Sequence, residues 1–524
     1  MSHARKAGSV TLAVFASRVM GLVREVALNN LIGPGKSLDA FLLAFRIPNL
    51  LRDLLAEGAL SNAFVSVFSN KITRAGKESA MVLANKVVTL LLALMFVIVS
   101  LGILLAPWIV NVLGSGFEEP GKRELATQLT RILFPFILWV SLAALLMGLL
   151  NTLGSFGLPA SASTVFNVTS IIFGVAFAWL MDPDFGEKSI YGFAWGTLLG
   201  GVAQALCMLP SALKKGFRPR LVWDPADPDV REIARLMLPA VVGGAAVQVN
   251  VLVNTAFASF LESGTITCLS NAFRLMQLPI GLFGVAIATV TLPTIARHAA
   301  LEDKTAFRSK LAGALRHALA LGLPSAAGLA VLAVPITQVI FERGRFTAES
   351  TALTALGLQG YAVGLAAYAS IKVISPAFIA LGDPHTPLRV SLVGIFLNFV
   401  FNAVFVFGLG LGIFGLALST SLVALINLAQ LVWRIRLHLG GFELKKLLGT
   451  VIKLSLACLV MSVTVFSVKL ATSGLFEMNF ALKVVCMSFF LIIGAASFLL
   501  VAKMLKVAET AALLKAISSR FMGK

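Results

Sequence analysis

The stretch AFRIPNLLRDLLAEG, residues 44–58, lies inside a long apolar run yet carries Arg46, Asn49, Arg52, Asp53 and Glu57, with Pro48 among them. On an α-helix each residue advances about 100°, so Asp39, Arg46, Asp53 and Glu57 fall within roughly 40° of one another, with Asn49 beside them and Arg52 at the margin. Leu42, Leu43, Leu50, Leu54 and Leu60 take most of the remaining surface. A charge at the centre of a bilayer costs from about 3 to more than 10 kcal/mol unless it faces a partner or a water-filled cavity. The segment is therefore expected to line an interior cavity.

The surrounding chain makes the bilayer the relevant solvent. Its 524 residues are 58% hydrophobic and 13% charged, with a mean hydropathy of +0.92, more apolar side chain than a soluble core can hide. Runs long enough to span, roughly 20 residues each, recur about fourteen times, near 8–33, 38–69, 82–114, 124–151, 159–182, 190–213, 229–261, 266–297, 306–341, 350–381, 387–410, 413–437, 447–470 and 480–506. The expected fold is an all-α polytopic membrane protein. Arg18 and Arg24 interrupt the first run and no small-residue cleavage site follows it, which argues against a signal peptide. The longest polar connector, KKGFRPRLVWDPADPDVRE (214–232), is too short to fold alone.

The net charge of +19 would suggest nucleic acid in a soluble protein, but its distribution points elsewhere. Lys and Arg gather at the N-terminus and in 71–77, 214–235, 297–316, 434–453 and 503–524. The alternate connectors GSGFEEPGKRE (114–124) and DPDFGEK (182–188) hold several acids. The positive-inside rule then places both termini and every even-numbered connector in the cytoplasm, with no nucleic acid partner. The basic connectors also suit anionic membrane lipid. Cys207, Cys268, Cys458 and Cys486 fall inside spans without a CxxC spacing, and the five histidines are scattered, so no metal or cofactor is expected.

The chain contains a duplication. AFR recurs at 44–46 and 272–274, and G-x4-P at GSFGLP (154–159) and GDPHTP (382–387), both at an offset of 228. IYGFAWGT (190–197) and IFGLALST (413–420) share a third pattern at offset 223. Six spans separate the copies, and an even number preserves orientation, so the halves are parallel repeats. This predicts two six-helix lobes, 1–215 and 216–440, with two further spans in 441–524. In transporters of this build the substrate site lies between the halves, and access alternates.

Span 1 adds Arg18, Arg24 and Glu25, with Arg18 and Glu25 nearly superposed in rotation and Gly21 between them as a point of bending. Span 8 places Thr267, Asn271, Arg274 and Gln277 on one face, followed by Pro279 and Gly281, which are expected to break or bend it. Span 7 contributes Gln248, Asn250 and Asn254. Two readings stand. The charges pair with one another, Arg46 with Asp53 or Arg18 with Glu25, and merely hold helices together. Alternatively the arginines outnumber their acids and await an anion, for which the guanidinium fork suits phosphate oxygens. Lys372 reaches either the same cavity or a structural carbonyl, while Asn167, Asn398, Asn402 and Asn427 are expected to bond between helices.

Position 30 is Asn where a phosphate-binding loop would need Gly, so GPGKS (33–37) reads as a connector turn. HExxH and GxSxG are absent as well. The chain reads as a transporter rather than an enzyme, driven by the membrane potential or by a cation, H⁺ or Na⁺, that a carboxylate such as Asp39 or Glu57 would bind.

FASRVMGLVRE (15–25), DAFLLAFRIPNLLRDLLAEGALSNAFV (39–65), NAFRLMQLPIGLFGVAIATVTLP (271–293) and FERGRFTAEST (341–351) resemble the MurJ (MviN) lipid II flippases of the bacterial cytoplasmic membrane. The resemblance covers the first twelve spans. It implies the fold of the multidrug/oligosaccharidyl-lipid/polysaccharide exporter superfamily, with two lobes around a cationic cavity and two terminal helices forming a groove for a lipid tail. It implies that the undecaprenyl-pyrophosphate-linked muropeptide moves from inner to outer leaflet, by a monomer, with cell-wall synthesis or division proteins as further partners.

Arg18, Arg24, Asp39, Arg52 and Arg274 look like the family's essential cavity positions, and Asn49, Glu57 and Lys372 like secondary cavity or gate positions. The arginines would hold the pyrophosphate and Asp39 would pair with an arginine in a gate or coupling step. Glu25, Arg46 and Asp53 join that gate set. The chain departs from the family pattern at Phe273 and Gln277, where acids are common, and at Asp53, where a second basic residue is common. Competing readings are another polyprenyl-linked glycan flippase, a multidrug or ion antiporter of the same superfamily, and a non-transporting scaffold, although a scaffold gains nothing from burying charge.

Overall fold

The computed structural model of the protein describes residues 3–54, 60–474 and 479–510, and among them no strand forms. The chain divides into two compact units, Met1–Thr267 with Arg343–Phe346, and Cys268–Glu342 with Thr347–Lys524. The first holds α1 (His3–Leu31), α2 (Lys36–Leu51), α3 (Leu60–Leu104), α4 (Ala106–Leu113), α5 (Lys122–Leu133), α6 (Phe136–Thr152), α7 (Gly157–Met181), α8 (Ser189–Leu206), α9 (Leu209–Lys214) and α10 (Pro228–Ala258). It also takes in the first turn of α11 (Thr265–Pro279). The second continues through a π-turn, Ile280–Gly284, to α12 (Val285–Ala300), α13 (Lys304–Val331), α14 (Ala333–Phe341), α15 (Ala348–Ala380), α16 (His385–Ala403), α17 (Gly412–His438), α18 (Leu444–Ala471) and α19 (Phe480–Met504).

Among the described residues ten helical stretches are long and apolar enough to cross a membrane, and the pair Thr265–Gly284 and Ile287–Ala300, bent by 42°, makes an eleventh. The sequence count of about fourteen differs for a physical reason. The helices α1, α2 and α10 carry the intramembrane Arg, Asn and Gln side chains, α2 stops after 16 residues, and the 45-residue α3 joins two predicted spans across a break at Gly76. The seventh span, α10, assigned to the second lobe by the repeat, packs on α3 and α4 in the first unit. The two terminal helices α18 and α19 pack on each other and on α13 within the second.

Small residues bring the helices close. Gly192, Gly196 and Gly200 of α8 face α7, and a Cβ on Gly196 would lie 2.3 Å from the Gly174 nitrogen. Gly360 and Gly364 of α15 approach α17 in the same way, where the Ser421 hydroxyl donates to the Gly360 carbonyl at 2.7 Å. In lipid, packing of this kind replaces the hydrophobic drive that water would supply.

The repeat reappears in the backbone. Gly154 and Gly382 share a φ of 77°, the left-handed conformation that glycine adopts without a Cβ penalty. The next residue closes the same bond in each copy: Ser155 N–H to the Leu150 carbonyl at 2.8 Å, and Asp383 N–H to the Phe378 carbonyl at 2.9 Å. A π-turn begins at Arg52 in one copy and at Ile280 in the other, again 228 residues apart. Asn167 donates across to the Ser17 carbonyl at 3.3 Å, and Asn398 to Ser419 Oγ at 3.1 Å, the interhelical bonds expected of these amides. Asn402 bonds Asn398 within one helix instead, and Gly394 approaches Asn427. Gly21 sits within the continuous α1, opposite Asn167, rather than at a bend.

The connector 214–232 is strapped to α3. Asn85 accepts from Arg220 N–H and donates to the Arg218 carbonyl, both at 3.0 Å, and Thr89 Oγ1 accepts from Val222 N–H at 2.9 Å. Lys86 reaches Asp224 at 2.8 Å and Asp227 at 2.5 Å, and Lys71 reaches Asp229 at 2.6 Å. The hydrogen bond from Lys86 lowers the Asp224 carboxyl below its ordinary value. For Asp227 burial pushes upward, but Lys86 and the N–H groups of Asp229 and Val230 together pull it lower. Because both folded values are depressed, their stabilisation is present above the free carboxyl value near 4 and is lost as pH falls through the lower folded values. A nitroxide replacing exposed Trp223 is accordingly expected to stay restrained from about pH 7 to pH 5 and to gain mobility below about pH 4, and Lys86→Met to abolish that dependence, as read by electron paramagnetic resonance.

Candidate functional site

Asp39, in the first turn of α2, is 1% exposed and accepts four hydrogen bonds. Its Oδ1 receives the Thr267 amide at 2.9 Å and the Thr267 hydroxyl at 2.7 Å. Its Oδ2 receives the Gly264 amide at 2.7 Å and Lys122 Nζ at 3.1 Å. The two amides belong to the approach and first turn of α11, where helix N–H groups lack intrahelical partners, so Asp39 caps that helix from another element. Asp39 and Thr267 stand 228 residues apart, the repeat spacing itself.

The counter-ion corrects an expectation. The resemblance implied an arginine partner for Asp39, and the cation bonded to it is Lys122, 3% exposed at the start of α5. Lys122 also donates to Ser263 Oγ at 2.7 Å and lies 4.5 Å above the Phe117 ring. Lys122 lies in GSGFEEPGKRE (114–124), a connector whose acids give composition no reason to single it out. The repeat spacing of 228 makes Asp39 and Thr267 equivalent positions in the two copies.

The arginines of α1 and α2 lie in the first unit. Arg18 is exposed. Arg24 is partly buried, 2.9 Å from Glu25 Oε1 and 5.2 Å above the Phe166 ring. Arg52 meets Asp53 Oδ1 through Nε at 3.1 Å and Nη2 at 2.8 Å, and Gln248 of α10 donates to Asp53 Oδ2 at 3.2 Å. Two ion pairs join chain neighbours, Arg24 with Glu25 and Arg52 with Asp53, where the sequence suggested Arg18 with Glu25 and Arg46 with Asp53. Arg46 and Asn49 are half-buried on α2. Glu57 lies outside the described residues. At the outer edge of α2, Lys36 pairs with Glu187 at 2.7 Å, and that hydrogen bond raises its pKa. Asp39 itself is taken up by Lys122, Thr267 and Gly264.

In the second unit Arg274 is half-buried on α11, with Asn271 buried one turn before it. Gln277, expected on the same polar face, is exposed. Phe273 packs against the Tyr361 ring, centroids 5.4 Å apart, which explains an aromatic rather than an acid there. Lys372 on α15 is exposed. An apolar cavity of about 660 Å³ lies among α13, α18 and α19, bordered by Pro279, Phe283, Pro324, Met461, Phe490 and Phe498.

The family model described as "Lipid II flippase MurJ" matches residues 28–487. The chain belongs to the MurJ family. It is 36% identical over 468 residues to the probable lipid II flippase MurJ of Vibrio cholerae, covering 87% of each chain, and 35% identical over 416 residues to the lipid II flippase MurJ of Burkholderia cenocepacia, covering 78% and 79%. Among solved structures it is similar to a lipid II flippase MurJ in an inward closed conformation, with a TM-score of 0.76 and 27% identity over 94% of this chain and 98% of the other. An inward-facing multidrug MATE transporter shares the fold at a TM-score of 0.67, 16% identity and 81% and 94% coverage. This MurJ-family chain is therefore a multi-pass helical membrane protein of the same superfamily fold.

Removing the Asp39 carboxylate leaves a buried ammonium without its counter-charge, a loss of about 3–5 kcal/mol in comparable cases. Asp39→Ala is expected to lower the melting temperature in detergent markedly, and Asp39→Asn by less, since the amide oxygen still accepts from Thr267.

Proposed function

We propose that this chain moves lipid II, the undecaprenyl-pyrophosphate-linked disaccharide pentapeptide, from the inner to the outer leaflet of the bacterial cytoplasmic membrane by alternating access. The observation that carries the proposal is the family match over residues 28–487, which takes in Arg46 on α2 and Arg52 directly after it. In this reading Arg18, Arg24, Arg52 and Arg274, helped by Asn49 and Lys372, receive the diphosphate, while Asp39, Glu25, Arg46, Asp53 and Glu57 serve gating and coupling. Guanidinium forks match phosphate oxygens bidentately, and such charge-assisted bonds are about twice as strong as neutral ones.

The apolar cavity beside α18 and α19 suits a prenyl tail, which travels in the membrane while the head group crosses. Both termini face the cytoplasm, and the protein acts as a monomer without chemical catalysis, with cell-wall synthesis or division proteins as further partners. An anion leaving a cell whose interior is negative moves down the field, worth about 2.3 kcal/mol per charge per 100 mV. The membrane potential therefore drives the loaded step in the outward direction, and a coupled H⁺ or Na⁺ bound at a carboxylate would reset the empty protein.

Depletion in a walled bacterium with no substitute flippase is expected to trap lipid II in the inner leaflet. Arg24→Ala, Arg52→Ala and Arg274→Ala should each cut its outward flux by about tenfold or more at unchanged membrane levels, the loss of one charge-assisted contact. Normal outward delivery after depletion would contradict the assignment.

A further inference from the structure

We propose that Lys122 is a positioning residue of transport, the latch cation that holds Asp39 on the N-terminus of α11, so that this end of the molecule opens only when the ammonium withdraws. The inference rests on the flippase reading for its role, but its geometry stands apart from it. The ammonium engages three groups: Asp39 Oδ2 at 3.1 Å, Ser263 Oγ at 2.7 Å, and the face of Phe117 with the nitrogen 4.5 Å from the ring centroid. Ser263 in turn donates to Glu119 Oε2 at 2.5 Å. Lys122 thereby ties the connector before α5, the start of α2 and the segment leading into α11.

The burial of the pair makes the tie a switch rather than a surface contact. Lys122 is 3% exposed and Asp39 1%, so neither charge is hydrated while they meet, and neither can stay buried once they part. Separation must therefore accompany hydration of this end, which couples the capping of α11 to its opening. The two oxygens of Asp39 accept two donors each, from different sources. Oδ1 serves only Thr267, whereas Oδ2 holds Gly264 and Lys122 together. Loss of the ammonium should loosen Gly264 directly and Thr267 through release of an unbalanced carboxylate.

Amide hydrogen exchange on the full-length protein in lipid nanodiscs tests this. In Lys122→Met, the amides of Gly264 and Thr267 are expected to exchange about tenfold faster or more, the loss of roughly 1.4 kcal/mol of protection. The amide of Thr386, held by Asp383 at 3.0 Å in the second unit, should not change. The Asp39→Asn, Lys122→Met pair removes both charges and keeps one carbonyl acceptor, so Thr267 should return to slow exchange while Gly264 stays fast. Unchanged rates at both amides in Lys122→Met overturn the proposal. If Thr386 also accelerates in that variant, the charge-free pair is read instead, and wild-type rates at Gly264 there overturn it.

Outward flux of lipid II in proteoliposomes is measured alongside and should fall about tenfold in Lys122→Met. Fast amides with undiminished flux would remove Lys122 from transport. A wild-type protein that moves no lipid II would instead remove the flippase reading and leave the exchange result standing.

Discussion

A carboxylate sealed from water must be surrounded by donors, and Asp39 has four: two backbone N–H groups, one hydroxyl and one ammonium. This arrangement fixes the start of α2 against the approach to α11. Lys122 takes the place that the resemblance implied for an arginine, while Arg24 meets Glu25 and Arg52 meets Asp53. An excess of fixed positive charge at membrane depth is stable only beside water or an anion. The proposed diphosphate site draws on these guanidinium groups.

Two of the helices that hold this charge, α2 and α11, are irregular, whereas α1 is continuous. A proline sits inside α2 at Pro48, and the helix widens to a π-turn from Arg52; its repeat mate α11 ends at Pro279 and widens from Ile280. A π-turn adds a residue without breaking the helix, and so shifts the facing of every side chain beyond it. At Arg52 that shift falls on the polar stripe itself. The regular helices differ in composition: α7, α8, α15 and α17 pack through Gly, Ala and Ser at close range and supply rigid walls.

Much of this was legible in the sequence. Hydropathy located the helices, since backbone polar groups in lipid leave few alternatives to helix, and the offset of 228 revealed a duplication that the glycine turns and π-turns repeat at matching positions. Helical periodicity placed Asp39, Arg46 and Asp53 on one stripe. Periodicity gives rotation about one helix axis, however, and is silent on what a neighbouring element brings. Asp39 therefore acquired the wrong partner type, because Lys122 comes from a connector whose acidic neighbours masked it. Gln277 shows the same limit: its spacing put it with Thr267 and Asn271, yet it is exposed where they are buried. The ion pairs formed between adjacent residues, Arg24 with Glu25 and Arg52 with Asp53, a geometry that helix-face arguments built on three- and four-residue spacings do not consider.

The measurement closest to the central claim is equilibrium binding of a short prenyl diphosphate to the purified full-length protein, with a cationic amphiphile of equal chain length as the comparison. Saturable binding of the diphosphate, displaced by inorganic pyrophosphate and far stronger than that of the cation, is the result the account requires. Equal or tighter binding of the cationic amphiphile would mean that the arginines are neutralised within the protein, and would contradict it.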